Sequence, residues 1–189
     1  MRSASFLPFL VVVAAADLVA AQSPADSTIN PWCDYHMGTL RQVLDSGAKI
    51  LPGDPRTLDR LVLWHSPYRK VRTYLVYWGH PQPMDSTTGL FLDYATRDTT
   101  WRRSYHTHLT FTEAGAGLLL LVSDTLTAAL RSGVAPGDTL WSFVTVHGLV
   151  PGPGAYWVIT LDEFGTSSEV TEWGSILRMC QRRSGSPAG

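Results

Sequence analysis

The sequence has little charge and little cysteine. Charged residues make up 16% of the 189 residues, and the formal net charge at pH 7 is −1. Proteins that bind duplex nucleic acid need clustered lysine and arginine for the phosphates, so nucleic acid is not an expected partner. Hydrophobic residues still account for 44% of the chain, which excludes wholesale disorder and supplies enough apolar material for one core.

Motifs of several common enzyme classes are missing. No Gly-x-Ser-x-Gly sequence presents a serine nucleophile, and the glycine-rich stretches 115–117 and 151–154 lack the Lys-Ser/Thr of a phosphate-binding loop. Asp162 and Glu163 are neighbours at the end of a predicted strand, where they point to opposite faces and do not pair as acid and base. A solvated turn before Gly165 is expected there. The sequence therefore favours a non-catalytic protein over an enzyme.

Long hydrophobic runs are confined to the start of the chain. Arg2 is followed by an apolar run at 6–16, and small residues at 19–21 precede Gln22. This pattern predicts a signal peptide at 1–21. A membrane anchor is the alternative, but the run is shorter than the roughly 20 apolar residues of a spanning helix. We therefore expect a secreted or periplasmic protein with no membrane span in the mature chain.

The rest of the chain predicts one domain. We divide it into a polar leader at 22–31, a single β-rich domain at 32–182 and a flexible tail at 183–189. The two cysteines of the sequence, Cys33 and Cys180, stand near the ends of that domain. In an oxidising compartment such a pair most simply forms one disulfide, and neither has the nearby second cysteine of a metal or redox site. Both are therefore predicted to be structural.

Strand-like runs dominate from residue 58 onwards, separated by turn-forming sequences. They predict seven strands, namely 58–65, 70–79, 89–96, 102–112, 117–123, 139–147 and 155–162. Helical spacing predicts a helix at each end, one capped by Asp34 and one over 167–182, while 125–132 fits a short helix or a hairpin arm. The predicted fold class is mainly β, an antiparallel β-sandwich or, alternatively, a small β-barrel.

His106 and His108 form the most specific local pattern. Residues two apart on a strand point to the same face, so the two imidazoles can share a metal ion. With Glu113 the pair resembles the first metal motif of the cupins, although the glycines of that motif are absent. The alternative is a pair of surface histidines that pack across strands. A divalent metal at His106 and His108 is the one cofactor that the sequence suggests.

The chain contains seven tryptophans, and flat aromatic faces can stack on sugar rings. Most of them lie inside predicted strands or on the predicted carboxyl-terminal helix, where large side chains fill a core. Trp101 lies beside a turn and precedes Arg102 and Arg103, which makes it the best candidate for an exposed aromatic side chain. Trp101 is therefore the predicted ligand-binding residue.

Two segments of the carboxyl-terminal half carry a family resemblance. Residues 134–138, Val-Ala-Pro-Gly-Asp, lead into Trp141, and Pro-Gly-Ala-Tyr at 153–156 opens the strand at 158–161. This pattern resembles the immunoglobulin-like β-sandwich accessory domains of secreted bacterial proteins, including the hook-capping type. The resemblance implies a sandwich with an interaction or structural role, and it implies no active site.

Three functional hypotheses follow. The first is a secreted or periplasmic, non-catalytic interaction or structural module with an unidentified protein or carbohydrate partner. The second is a binding protein for a carbohydrate or a small apolar ligand. The third is a metal-binding protein or enzyme centred on His106 and His108. A pocket of a few hundred Å³, or a row of exposed aromatic side chains, would favour the second hypothesis.

Overall fold

A computed structural model describes residues 31–166 of the protein, and these residues are mainly β, as the sequence predicts. The strands within this range are β1 (His36–Met37), β2 (Val62–Leu63), β3 (Lys70–Pro83), β4 (Tyr105–Glu113), β5 (Ala116–Ser123), β6 (Thr139–Val150) and β7 (Tyr156–Gly165). The α-helices there are α1 (Leu40–Lys49), α2 (Ser86–Thr96) and α3 (Asp124–Gly133). The signal peptide, nearly all of the leader, Cys180, the helix predicted at 167–182 and the tail lie outside the described residues.

The described strands belong to one mixed sheet. Neighbours follow the order β1-β3-β4-β5-β7-β6-β2, and β3 also pairs with β6. Strands β3, β4, β5, β7 and β6 therefore hydrogen bond in a closed cycle, with β1 and β2 added beside it. The β1–β3 and β5–β7 pairs are parallel, whereas the other pairs are antiparallel. The sheet is thus not purely antiparallel.

The parallel pairing of β5 with β7 is short. These strands pair at Leu121 with Thr160 and at Val122 with Leu161. Parallel strands start at the same end of a sheet. The first halves of β5 and β7 therefore lie side by side without pairing, and a gap opens between them.

Apolar side chains fill the interior of the strand cycle. Successive residues of a strand point to opposite faces, and one face of every strand in the cycle is mainly apolar. The buried strand residues of this core are Val71, Leu75, Tyr77, Leu109, Phe111, Leu120, Val122, Leu140, Val144, Val146, Ile159 and Leu161. Leu40 of α1 and Leu130 of α3 pack against them. Both helices thus cover the same core.

Residues 89–96, predicted as a strand, lie in helix α2. Asp85 caps this helix, because its Oδ1 accepts a hydrogen bond from the Thr88 backbone N–H at 2.8 Å. Phe91 and Leu92 of the helix pack on Leu121 and other residues of the outer sheet face. The strand prediction was wrong because it weighted the β-propensity of this segment and interpreted the capping aspartate as part of a turn.

The structure corrects two further helix assignments. Helix α1 starts after Thr39 and not at Asp34, since Thr39 and Gln42 form a reciprocal capping box. Asp34 lies in a short 3-10 turn at 31–34. Of the two alternatives for 125–132, the helix is correct, because Ser123 caps it and accepts from the Leu126 N–H.

Glu113 joins helix α1 to the sheet. Its Oε1 accepts hydrogen bonds from the Leu40 N–H at 2.9 Å and the Thr73 hydroxyl at 2.6 Å, and its Oε2 accepts from the Arg41 N–H at 2.8 Å. The first N–H groups of a helix have no partner within the helix, and its amino-terminal end favours negative charge. The buried carboxylate therefore has a structural role.

Candidate functional site

A β-bulge separates the two histidines predicted to share a metal ion. On β4, Tyr105 pairs with Ser123 and Thr107 with Val122, which leaves His106 as the extra residue. The bulge breaks the alternation on which the metal prediction depended.

The two histidines have different surroundings. His106 is exposed, with its Nδ1 at 3.0 Å from Asp124 Oδ2, whereas His108 is half-buried in a cleft. Glu113 lies at helix α1, as described above. Within residues 31–166, no group of three His, Cys, Asp or Glu side chains is arranged to hold a metal ion. Metal binding at His106 and His108 stays a prediction.

Trp101 is packed against its neighbours rather than exposed. It lies in a 3-10 turn at 100–103, is half-buried against the cluster under α2, and has the Arg102 guanidinium 5.6 Å from its ring centroid. Exposed aromatic rings occur on β3 instead, where Tyr74 is 53% exposed and Trp78 is 40% exposed. The position of Trp101 therefore suits the wall of a cavity better than an open platform.

A cleft of about 710 Å³ lies at the gap between β5 and β7. Its apolar walls are formed by Leu44, Leu118, Leu119, Trp157 and Ile159. Its polar residues are Gln82, Asp85, His108, Thr110 and Tyr156. Leu118 and Ile159 also contact the core of the strand cycle. The cleft therefore extends from the outer face of the sheet to the edge of that core.

Asp85 and Tyr156 form the polar end of the cleft. The Tyr156 hydroxyl donates a hydrogen bond to Asp85 Oδ2 at 3.1 Å. The same hydroxyl oxygen lies 2.8 Å from the Thr88 hydroxyl oxygen. Burial alone would raise the pKa of Asp85, but the hydrogen bonds from Thr88 and Tyr156 outweigh it and hold that pKa below its usual value. Asp85 is therefore ionised at neutral pH while it caps α2.

His108 adds a neutral imidazole to the same end. Burial lowers the pKa of His108, and the nearby charge of Asp85 opposes that shift only in part. Among the described residues that line the cleft, Asp85 alone carries a formal charge near neutral pH. An anionic ligand would meet a like charge there, so the cleft is better matched to an uncharged molecule.

A second, smaller cavity lies between α2 and the outer face of β6 and β7. Its volume is about 180 Å³. Its lining consists of Leu92, Thr96, Trp101, Tyr105, His147, Thr160 and Asp162. It therefore resembles the larger cleft in having a carboxyl group, an imidazole and a phenol on its walls, but it is about a quarter of the size.

Asp162 is the centre of a hydrogen-bonded group beside this cavity. The Tyr35 hydroxyl donates to Oδ2 at 2.7 Å, the Thr145 hydroxyl donates to the same oxygen, and the Thr160 hydroxyl donates to Oδ1 at 2.8 Å. Burial raises the pKa of Asp162, and these bonds oppose the shift without cancelling it. The solvated turn expected here is wrong, because β7 continues through Asp162 to Gly165.

His147 extends the group through Thr160. Its Nε2 lies 3.0 Å from the Thr160 hydroxyl oxygen. Thr160 gives its single hydroxyl hydrogen to Asp162, so it accepts from His147, and the hydrogen of the neutral imidazole is on Nε2. Burial and then the positive charge of Arg69 lower the pKa of His147 to about 4. His147 is therefore uncharged at neutral pH.

Sequence reasoning missed most of these residues because they come from distant segments. Asp85, His108 and Tyr156 meet through long-range pairing, as do Tyr105 and Asp162, and no local spacing reveals either group. One signal was present in the sequence. Asp85 stands three residues before Thr88, a spacing typical of a helix cap.

The chain has no detected relative on which to base a function. Comparisons with protein-family models, curated proteins and solved structures give no match. Across the part of the chain that the structure covers, no helix has both the length and the apolar character needed to cross a bilayer. The geometry of the two cavities is therefore the basis for a functional assignment.

Proposed function

We propose that this protein is a non-catalytic binding protein that takes a small, mainly apolar and uncharged molecule in the cleft between β5 and β7. The observation that carries the proposal is the cavity of about 710 Å³ at that position. Small-molecule sites usually measure roughly 300–1,000 Å³ and combine apolar walls with a few polar groups. The cleft has this composition.

Each part of the cleft matches one part of such a ligand. The leucine and tryptophan side chains contact an apolar body. Tyr156 and His108 lie at the polar end and can orient one hydroxyl or carbonyl group. Asp85 already accepts from Thr88 and Tyr156, so its charge is used within the protein and does not demand a cationic ligand.

We also propose that the five-strand cycle is a small barrel and not a two-sheet sandwich. The support is the pairing of β3 with β6, which runs without interruption from Lys70–Thr145 to Val76–Thr139. Two packed sheets would keep separate edges, whereas this pairing joins β3 and β6, the first and last strands of the order β3-β4-β5-β7-β6. The unpaired first halves of β5 and β7 then form an opening in the barrel wall.

Secretion or periplasmic export is part of the proposal and is supported by the pattern at 1–21. The Cys33–Cys180 disulfide belongs to the same proposal, because an oxidising compartment favours it. The interaction or structural module inferred from the sequence stays a prediction without a defined partner surface. The cleft gives the binding hypothesis a specific site.

The uncharged fluorescent probe N-phenyl-1-naphthylamine tests the cleft. Gly117 lines it, and a Cβ at this position would meet nothing within 4 Å, so Gly117→Phe can fill the cleft without a backbone clash. Gly133 at the end of α3 is equally unobstructed but lies outside the lining, which makes Gly133→Phe the matched control. Both variants are first checked for native circular dichroism.

We expect saturable binding by the wild type and the Gly133→Phe variant, and affinity at least about tenfold lower for Gly117→Phe. Absence of saturable binding by the wild type would contradict the proposal. Equal affinity of Gly117→Phe and the wild type would also contradict it, because the probe would then bind elsewhere.

Carbohydrate binding is a second candidate, favoured by the exposed rings of Tyr74 and Trp78 on β3. The Trp78 Nε1–H donates to the Thr112 hydroxyl at 3.0 Å, and Tyr74 meets Trp141 with 4.5 Å between ring centroids. Both rings are thus held in place, about 13 Å apart along the strand at ~3.3 Å per residue. Fixed, exposed rings in a row can stack on successive sugar units.

Titration with soluble β-linked oligosaccharides tests this surface. We expect intrinsic tryptophan fluorescence to change saturably in the wild type and in Leu90→Ala, a control that removes another exposed apolar side chain. Trp78→Ala should lose the response. If the wild type does not respond to any oligosaccharide, the carbohydrate candidate is wrong while the cleft proposal stands.

A further inference from the structure

The phenol hydroxyl of Tyr105 stands out in the smaller cavity. Tyr105 lines this cavity, and its side chain is otherwise packed in the cluster under α2. No partner for this hydroxyl lies in the described range 31–166, although a phenol both donates and accepts hydrogen bonds. A phenol hydroxyl without a partner among residues 31–166 is available to a molecule that occupies the cavity.

Asp162 supplies an acceptor on the same lining. A carboxylate has about four acceptor sites, and the three hydroxyl donors leave one of them open. Oδ2 receives two donors and Oδ1 receives one, so the open site is on Oδ1. The electrostatic interaction between Tyr105 and Asp162 shows that the two groups lie near each other. The cavity lining thus includes a hydroxyl donor, Tyr105, and a carboxylate acceptor, Asp162.

The remaining walls limit the size and polarity of an occupant. Leu92 and the carbon atoms of the Trp101 ring are apolar, the Trp101 Nε1–H is a buried donor, and His147 is neutral. The volume of about 180 Å³ equals roughly six water molecules at ~30 Å³ each. A short organic molecule fits this space.

Positive charges around the cavity already offset the Asp162 charge. The Lys70 ammonium lies 5.3 Å from the Tyr35 ring centroid and acts on Asp162, and Arg69 acts on His147. Arg102 lies over Trp101 and is paired with Asp93. A cationic ligand buried in the cavity would be repelled by these positive charges, and an anionic ligand would be repelled by Asp162. A neutral occupant avoids both costs.

We propose that the smaller cavity is a second binding site, for a neutral molecule that carries a hydrogen-bond acceptor beside a donor, with a short aliphatic carboxamide as the simplest match. The carbonyl oxygen accepts from the Tyr105 hydroxyl, and the amide N–H donates to Asp162 Oδ1. The aliphatic group lies against Leu92 and Trp101. This site does not depend on the proposed function of the larger cleft.

Three isosteric probes test the proposal by calorimetry or ligand-observed NMR on the full mature protein. Isobutyramide, isobutyrate and isobutyramidinium have the same shape and differ in charge. We expect the neutral amide to bind most tightly, by about tenfold over either ion. Tyr105→Phe should weaken amide binding about fivefold or more, because it removes the donor.

Tyr94→Phe is the matched control, since Tyr94 is an exposed tyrosine of α2 outside the cavity lining. It should bind the amide like the wild type. Tyr105→Phe removes a hydroxyl that has no partner within the described residues, and an unchanged thermal unfolding midpoint verifies its fold. N-phenyl-1-naphthylamine binding in the cleft should persist in this variant, which separates failure here from failure of the proposed function.

Three results would overturn the proposal. The first is absence of amide binding by the wild type. The second is equal or tighter binding of either charged probe, which would show that charge and not donor–acceptor matching governs the site. The third is unchanged amide affinity in Tyr105→Phe, which would place the amide elsewhere.

Discussion

The inner and outer faces of the strand cycle differ in composition and in what they contribute to the protein. The inner face is mainly apolar, with the polar side chains of Thr73 and Glu113 buried beside helix α1, whereas the outer face around α2 holds Asp85, Tyr105, His147 and Asp162. Apolar burial stabilises the protein without directional requirements, and polar groups in cavities are useful for recognition. The inner face of the cycle therefore contributes most of the stability, and the candidate sites lie on its outer side.

Two carboxylates show the same contrast within one chain. Glu113 and Asp162 each accept three hydrogen bonds from protein groups. Two of the Glu113 donors are backbone N–H groups of helix α1, whereas all three Asp162 donors are side-chain hydroxyls next to a cavity. Glu113 therefore holds elements together, while Asp162 is placed where a ligand can reach it.

The largest expected effect comes from the inner face. Phe111→Ala removes a fully buried ring from the core and should lower the free energy of unfolding by about 3–5 kcal/mol. Thr110→Ala, on the other face of β4, should cost less than about 1 kcal/mol. Denaturant unfolding of both variants measures the difference. Similar losses for the two substitutions would break the distinction between the faces.

Acidification should destabilise the outer face through His147. Its pKa is about 4 in the folded protein and near its usual 6.5 in the unfolded chain, so unfolding takes up a proton between these values. The stabilisation of the neutral imidazole is complete above pH 6.5 and is lost as pH falls to about 4, by about 3 kcal/mol. Urea unfolding at several pH values measures the slope.

His147→Gln is the matched variant for the pH experiment, because its amide can still donate to Thr160. Its unfolding free energy should depend less on pH between 6.5 and 4 than that of the wild type. The pH dependence that remains in this variant includes the contribution of His108, whose pKa is also lowered by burial. A slope as steep as in the wild type would show that His147 is not the group responsible.

Substitutions of Glu113 and Asp162 should have smaller effects on the unfolding free energy, and the two effects should differ. Glu113→Gln places an amide N–H₂ against a backbone donor of α1 and should cost about 1–3 kcal/mol. Asp162→Asn should cost less at pH 7, because burial disfavours the charged form of Asp162. Paired unfolding curves test this order. An equal or larger loss for Asp162→Asn would indicate that Asp162 is mainly structural.

The smallest effect is expected at the exposed bulge. His106→Ala removes an exposed contact with Asp124 and should change the unfolding free energy by less than about 0.5 kcal/mol. Metal analysis of the same protein tests the predicted metal site. Stoichiometric zinc in the wild type that disappears in the His106→Ala, His108→Ala double variant would establish metal binding in solution.

Local patterns predicted the strands from β3 onwards because the signals were strong and short-range, whereas they left 125–132 as either a helix or a hairpin arm. Alternation and β-propensity located β3, β5, β6 and β7 to within a few residues at most ends. They failed at 89–96, where Phe91 and Leu92 suit a strand and a helix equally and the capping Asp85 decided the outcome. Propensity is a weak signal when a cap and tertiary packing favour the other structure.

The candidate sites could not be predicted because each is assembled across the sheet. Tyr105 and Asp162 are brought together by the pairing of β4, β5 and β7, and neither residue belongs to a local motif. The bulge at His106 was equally invisible in the sequence, although it separates the surroundings of the two histidines. Trp101 was selected as an exposed ring, yet packing under α2 made it a cavity wall.

The sequence by itself determined that the chain is β-rich, nearly neutral and supplied with enough apolar side chains for one core. These properties depend on composition and on the alternation of neighbours, which act over a few residues. The tertiary structure alone decided that the strand cycle closes through β3 and β6, that β5 and β7 separate at one end, and that Asp85 and Asp162 border cavities. Those features depend on pairing between distant segments, whose energies no local pattern contains.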